Sequence, residues 1–126
     1  MSVESNKQLI ERYLEALSGK PKPESVVAQY VQDEELKHHI QMFEAAFPRY
    51  ELRVDEMVAE GDTVAVRATF RGVQSNEFQG IRATGKEVTI GVMLFYRVAG
   101  DRIVAHSMNA DSLGLLQQLG AVPALV

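Results

Sequence analysis

The sequence contains no cysteine, no tryptophan and no long run of apolar residues. The lack of cysteine excludes disulfide bonds, thiolate nucleophiles and cysteine-ligated metal sites. A membrane-spanning helix needs about 18 apolar residues, and the N-terminus has no apolar signal core, so we expect a soluble, cytoplasmic protein with no membrane partner. An excess of positive charge is also missing, since the formal net charge is −4 and aromatic residues make up 7%. This balance argues against a nucleic-acid partner.

The spacing of apolar residues changes once along the chain, from a helical to a strand period. Its 126 residues predict a single domain over 1–126, large enough to bury a core. Because helices come first and strands follow, we expect an α+β fold with three helices packed on one face of a curved antiparallel sheet. The predicted helices are one from a Ser5–Gln8 capping box to Gly19, a second near 26–31, a third that Asp33 caps and Pro48 closes, and a short last helix over 112–119. The predicted strands cover 50–59, 63–73, 88–98 and 102–110.

The last predicted hairpin turns at Gly100-Asp101 and sets which side chains face the helices. If the two strands pair without interruption, Tyr96 lies opposite Ala105 on a mostly apolar inner face. A shift of one residue would reverse this assignment. The polar side chains predicted to line the inner face in a row are Ser107, Asn109 and Asp111.

The opposite face of the same hairpin is predicted to be mixed, with apolar side chains open to solvent. Exposed apolar side chains on a sheet are typical of a dimer surface, so we expect a homodimer through this outer face. The residues predicted to form it are Met93, Phe95, His106 and Met108.

Asp111 stands where the last strand meets the last helix, and two interpretations remain open. A carboxyl group in an apolar pocket has a raised pKa and can transfer protons. Aspartate is also a favoured helix N-cap, where its side chain accepts backbone N–H groups. Ser112 could provide the cap instead and leave Asp111 free.

Four further residues are candidates for contact with a small molecule. Tyr13 lies on the inner stripe of the first helix, where it can also be a core residue with its hydroxyl satisfied. Tyr96 lies on the inner sheet face. His39 lies at the edge of the inner stripe of the third helix. Phe78 belongs to a long loop over 74–86, whose apolar residues indicate that it folds over something.

No metal site is expected from the spacing of the three histidines. His38 and His39 are adjacent, which places their rings on different sides of a helix, with His38 towards solvent. His106 is assigned to the outer sheet face, so the histidines do not converge with carboxylates. The sequence also lacks a phosphate-binding loop and a nucleophile elbow.

Several blocks of sequence resemble one known family. They are FEAAFP at 43–48, MVAEGDTVAVR at 57–67, EFQGI with TGK within 77–86, YR and GDRIV within 96–104, and Asp111 followed by LGLLQQLG at 113–120. In order and spacing, over about residues 5–123, they are similar to the SnoaL-like polyketide cyclases of the nuclear-transport-factor-like superfamily. The resemblance implies a cone-shaped α+β barrel with an apolar pocket.

The resemblance also implies a mechanism, in which one pocket aspartate is the general acid/base of an intramolecular aldol closure, with no metal or cofactor. By motif that residue is Asp111. Ser107 stands where relatives often carry tryptophan, and the assisting histidine of the cyclases has no clear counterpart. We therefore expect a cofactor-free cyclase, isomerase or lyase acting on an apolar carbonyl compound. The alternative is a non-catalytic module that binds a hydrophobic small molecule or dimerises.

Overall fold

The computed structural model describes residues 2–122, so residues 1 and 123–126 of the predicted domain lie outside the described residues. No helix in the described part is long and apolar enough to cross a membrane. The elements, in chain order, are α1 (Val3–Leu17), α2 (Glu24–Tyr30), α3 (Glu34–Ala46), β1 (Glu51–Glu60), β2 (Thr63–Val73), β3 (Glu87–Ala99), β4 (Arg102–Ala110) and α4 (Ser112–Gln118).

The four strands form one antiparallel meander in the order β1-β2-β3-β4. Along β3 every second side chain from Val88 to Val98 is buried, because the helices cover one face of the curved sheet and solvent meets the other. The α+β fold class and the short C-terminal helix expected from the sequence are confirmed.

The helix starts follow local capping chemistry. The predicted Ser5–Gln8 box is wrong: Ser2 and Ser5 form the box, each hydroxyl accepting the other residue's backbone N–H at 3.0 Å. The first helix therefore begins earlier than predicted, because Ser2, like Ser5, is followed three residues later by a side chain that can complete a capping box. Asp33 caps α3 as predicted, with Oδ1 accepting from the N–H of Glu35 at 3.0 Å.

A β-bulge in β4 reverses the face assignment of its second half. The hairpin at Gly100-Asp101 has the two positive φ angles of its tight turn, 55° and 61°, and Val98 pairs with Ile103 as predicted. Val104 is then an extra, unpaired residue, so Arg97 lies opposite Ala105. Because side chains alternate with period two, one extra residue moves every later side chain of β4 to the other face.

The predicted inner and outer sets of β4 are therefore wrong. His106 lies opposite Tyr96 and Met108 opposite Leu94, so both belong to the inner face. The side chains that move to the outer, exposed face are Ser107, Asn109 and, just past the strand, Asp111.

The outer face keeps part of the predicted dimer surface. Met93 and Phe95 are 59% and 57% exposed, which is unusual for side chains this large. His106 and Met108 leave this surface because of the bulge, and Ser107 and Asn109 replace them opposite Phe95 and Met93. The homodimer itself stays a prediction.

A buried lysine ties the helices to the start of the sheet. Lys22 Nζ donates to Glu44 Oε1 at 2.7 Å, to the Tyr50 carbonyl at 3.1 Å and to the Lys20 carbonyl at 2.9 Å. Burial lowers the pKa of Lys22, against the opposing effect of the Glu44 carboxylate. All three ammonium protons have partners, so this cation is a structural junction between α3 and β1.

Replacing this lysine is expected to destabilise the fold. Lys22→Met removes the cation paired with the Glu44 carboxylate, which costs about 3 kcal/mol for a broken buried pair. The Tyr50 carbonyl loses one of its two donors and keeps the backbone N–H of Gly19 at 2.9 Å. The free energy of unfolding from urea titration measures the loss. Lys20→Met removes an exposed lysine with a single carbonyl contact and is the control, with a change of about 0.5 kcal/mol or less. Equal losses in both variants would contradict the role of Lys22.

Candidate functional site

The structure brings Asp33 and His106 into direct contact. His106 Nδ1 lies 2.7 Å from Asp33 Oδ2, and the two side chains are only 3% and 15% exposed. Their meeting depends on the edge of the sheet, where the Ile103 carbonyl accepts hydrogen bonds from the backbone N–H groups of Gln32 and Asp33 at 2.8 and 3.2 Å. The start of α3 is thereby fixed beside β4.

The charge on Asp33 determines which ring nitrogen of His106 carries the proton. Burial on its own raises the pKa of Asp33, but the hydrogen bond from His106 and those from the backbone N–H groups of Leu36 and Glu35 outweigh it and lower the pKa overall. An ionised carboxylate only accepts hydrogen bonds, so the bonded Nδ1 of His106 carries the proton. In the neutral imidazole Nε2 is then the basic nitrogen.

His39 completes the cluster from α3. Its ring meets the His106 ring edge to face, with centroids 5.6 Å apart, and its Nδ1 is buried with no partner among the described residues. The prediction that histidines and carboxylates do not converge is wrong, because the bulge turns His106 inward. His38 is exposed, as expected.

An apolar cavity lies on the inner face of the sheet, the face to which His106 also belongs. His39 lies one helical turn before Phe43, and His106 two residues before Met108, and both Phe43 and Met108 line this cavity. Its volume is about 50 Å³, far below the roughly 300 Å³ or more of a typical small-molecule pocket, so a ligand of ordinary size needs a side chain to move. Met108 is flexible and 36% exposed, which suits it to move. The lining residues are Phe43, Tyr50, Leu52, Phe70, Ile90, Val92, Leu94, Met108 and Ala110.

The predicted contact residues Tyr13 and Tyr96 lie deep on the inner face. Their rings meet edge to face at 5.7 Å, and burial raises the pKa of both phenols, so both stay protonated. Tyr96 is also directly opposite His106 in the sheet. The structure therefore places one phenol next to the histidine cluster, while substrate contact by either tyrosine stays a prediction.

Phe78 holds the long loop against α3. Its ring centroid lies 5.4 Å from that of Phe43 and 5.5 Å from that of Phe47. Buried Gln74 fixes the loop by accepting from the Thr84 hydroxyl at 2.7 Å and donating to the Ile81 carbonyl at 3.0 Å. Phe78 thus supports a cavity residue, and direct contact with a ligand stays a prediction.

The geometry of Asp111 matches the capping interpretation. Its Oδ1 accepts the Gly114 N–H at 2.9 Å, and a Cβ at Gly114 would collide with this carboxylate. The Asp-x-x-Gly spacing therefore has a local reason in the start of α4. The expected inward orientation of Asp111, Asn109 and Ser107 is wrong, while proton transfer by Asp111 stays a prediction.

Removing the cap is expected to weaken the fold. Asp111→Ala leaves the first N–H groups of α4 without an acceptor and lowers the free energy of unfolding by about 1 kcal/mol. Asp111→Asn retains a capping oxygen and is the matched control, with a smaller loss. Urea unfolding compares the two, and an unchanged Asp111→Ala variant would contradict the capping role.

The lowered pKa of Asp33 predicts a pH dependence of stability. Its folded pKa lies below its unfolded value of about 3.9, so the stabilisation is fully present above about pH 4 and is lost as the pH falls through the folded pKa. The free energy of unfolding of Asp33→Asn should therefore differ most from that of the parent protein at neutral pH, and the two values should converge in acid. Urea unfolding at a series of pH values measures this. Asp101→Asn, in an exposed turn, should run parallel to the parent, and an equal convergence there would contradict the assignment.

Sequence reasoning missed the pair of Asp33 and His106. Asp33 was recognised as a helix cap, but capping uses only one carboxylate oxygen and leaves the other for His106. The bulge at Val104 has no glycine or other local signal. The one unusual feature in the sequence was the predicted row of three polar side chains, Ser107, Asn109 and Asp111, on an otherwise apolar face.

Comparison with known proteins identifies the family. The sequence profile of the SnoaL-like polyketide cyclases matches residues 8–119, so the chain belongs to that family. No match is found among curated protein sequences.

Solved structures share the fold over nearly the whole chain. AclR from Streptomyces galilaeus, a candidate hydroxylase, superposes with a TM-score of 0.85 at 23% identity, covering 99% of this chain and 87% of its own. TsrD from Streptomyces laurentii superposes with a TM-score of 0.81 at 26% identity, covering 97% of this chain and 99% of its own. IdmH from Streptomyces antibioticus, a candidate polyketide cyclase, superposes with a TM-score of 0.76 at 25% identity, covering 91% of this chain and 98% of its own.

Proposed function

We propose that the protein is an acid/base catalyst acting on an apolar carbonyl compound, with His106 and Asp33 as the proton-transferring pair. The observation that carries this is the 2.7 Å contact between the buried His106 ring and Asp33, on the inner face that also holds an apolar cavity. Membership of the SnoaL-like polyketide cyclase family supports the reaction class, which is an aldol-type cyclisation or a related isomerisation.

The hydrogen bond prepares His106 for proton transfer. Asp33 holds the proton on Nδ1 and orients the ring, which directs the basic Nε2 away from the carboxylate. Asp33 also stabilises the imidazolium that forms when Nε2 takes a proton, as the buried aspartate of a catalytic triad does. A histidine held in this way presents one oriented, basic ring nitrogen and can act as a general base.

The proposed step is removal of a proton next to a carbonyl group. The carbon–hydrogen bond breaks, the proton moves to His106 Nε2, and the electron pair delocalises onto the carbonyl oxygen as an enolate. The enolate carbon then attacks a second carbonyl in the same molecule, and the imidazolium returns its proton to the new alkoxide. The apolar walls of the cavity favour a hydrophobic substrate and exclude water.

The test is exchange of carbon-bound protons in deuterated water. A panel of apolar ketones and β-keto esters is incubated with the protein, and ¹H NMR follows loss of the signal next to the carbonyl. We expect accelerated exchange for at least one compound and a loss of about 100-fold or more in His106→Gln, since positioned general bases contribute about 10²–10⁴-fold. Asp33→Asn should lose part of the rate because the ring is no longer held by a charge.

Two matched controls separate the candidate bases. His38→Gln removes an exposed histidine from α3 and should keep the full exchange rate. Asp111→Asn should also keep it; loss of exchange in Asp111→Asn with retention in His106→Gln would overturn the proposal and favour Asp111. Binding of the same compounds without exchange would favour the non-catalytic alternative, which the uncharged lining of the cavity also suits.

A further inference from the structure

We propose that Glu35, His39 and His106 form a binding site for a divalent first-row transition-metal ion. One carboxylate oxygen of Glu35 and one ring nitrogen from each histidine lie within 4.8 Å of one another. The site shares His106 with the proposed acid/base function but does not depend on that function, because chelation requires only the geometry of the three donors.

The backbone sets this arrangement before any ion binds. Glu35 and His39 are four residues apart on α3, so their side chains share one face of the helix. β4 supplies His106 from the other side. An ion with ligands at about 2.1 Å needs donors about 3.4 Å apart, so the three donors have to approach by at most about 1.4 Å. Glu35 is exposed and long enough to make that movement.

Both histidines have a nitrogen available to an ion. Asp33 occupies Nδ1 of His106, which leaves Nε2 as the free donor, and no described residue hydrogen-bonds to it. His39 Nδ1 is buried and has no hydrogen-bond partner within the described part of the chain. A buried nitrogen left unpaired costs free energy, and a bound ion or its water would satisfy the His39 ring.

The surroundings match those of metal-binding histidines in other proteins. Such a histidine usually gives its second ring N–H to a carboxylate, which orients the ring and raises its basicity. Asp33 does this for His106 at 2.7 Å. Lys37 is engaged by Glu34 at 3.1 Å, so the nearest lysine on α3 does not neutralise Glu35.

The donor set points to the class of ion. Two imidazoles and one carboxylate suit Zn²⁺, Co²⁺, Ni²⁺ or Fe²⁺ and leave coordination positions for water or an oxygen ligand. Mg²⁺ and Ca²⁺ prefer sites built from oxygen donors alone. A bound ion takes the His106 nitrogen that would otherwise carry a proton, so the metal-bound protein is expected to lose the proposed proton exchange.

The test is a titration of the untagged full chain with Co²⁺, followed by its visible absorption and by competition with Zn²⁺. Co²⁺ in a site of low coordination number absorbs far more strongly than the hydrated ion. We expect saturable binding of one ion per chain, weakened about 100-fold or more in His39→Gln and in Glu35→Gln. Asp33→Asn should weaken it by about 10–100-fold, as loss of an orienting carboxylate does.

A neighbouring residue provides the control. His38→Gln changes the same residue type one position away on α3 and should leave Co²⁺ affinity unchanged. Equal weakening in His38→Gln, or unchanged binding in both His39→Gln and Glu35→Gln, would overturn the site. Glu35 is exposed, so Glu35→Gln remains informative if His39→Gln fails to fold, which circular dichroism checks.

The binding experiment contains no substrate, so its result is separate from that of the exchange experiment. Proton exchange without Co²⁺ binding would leave the proposed function standing and remove the metal site. Co²⁺ binding without proton exchange in the metal-free protein would support the metal site and remove the proposed function.

Discussion

The arrangement of the site depends on one extra residue, Val104, in the edge strand β4. The bulge at this residue turns His106 and Met108 towards the helices and sends Ser107 and Asn109 to the outer surface. Without it, a polar row ending at Asp111 would face the core and the histidines would lie apart. Because side chains on a strand alternate, a single unpaired residue decides the chemistry of half a strand.

Asp33 connects the bulge to the helices and has two functions in the structure. Oδ1 caps α3 through the N–H groups of Glu35 and Leu36, and Oδ2 holds His106. The backbone N–H of Asp33 also bonds to the Ile103 carbonyl, just before the bulge. One carboxylate thus fixes the start of a helix and the orientation of a histidine from the neighbouring strand. Lys22 has the corresponding structural role at the other end of α3.

The fold constrains what the cavity can do. Its lining is apolar except for the Tyr50 hydroxyl. Asp33, His39 and His106 are not among the lining residues, so the polar cluster and the cavity are separate features of the inner face. The family shares this fold with proteins described as candidate cyclases and hydroxylases, which shows that the scaffold alone does not define the reaction. The reaction is set by which side chains the sheet turns inward.

The sequence alone determined the fold class, the family and the order of the elements, because periodic apolar spacing and turn residues are local signals. It also left both possible roles of Asp111 open and placed His39 at the edge of the inner stripe of the third helix. Only the tertiary structure decided that Asp111 faces outward and that His106 meets Asp33, 73 residues away in the chain. The bulge lies next to the bridge between Val31 and Ile103. That contact joins distant parts of the chain, so the local spacing of residues does not predict it.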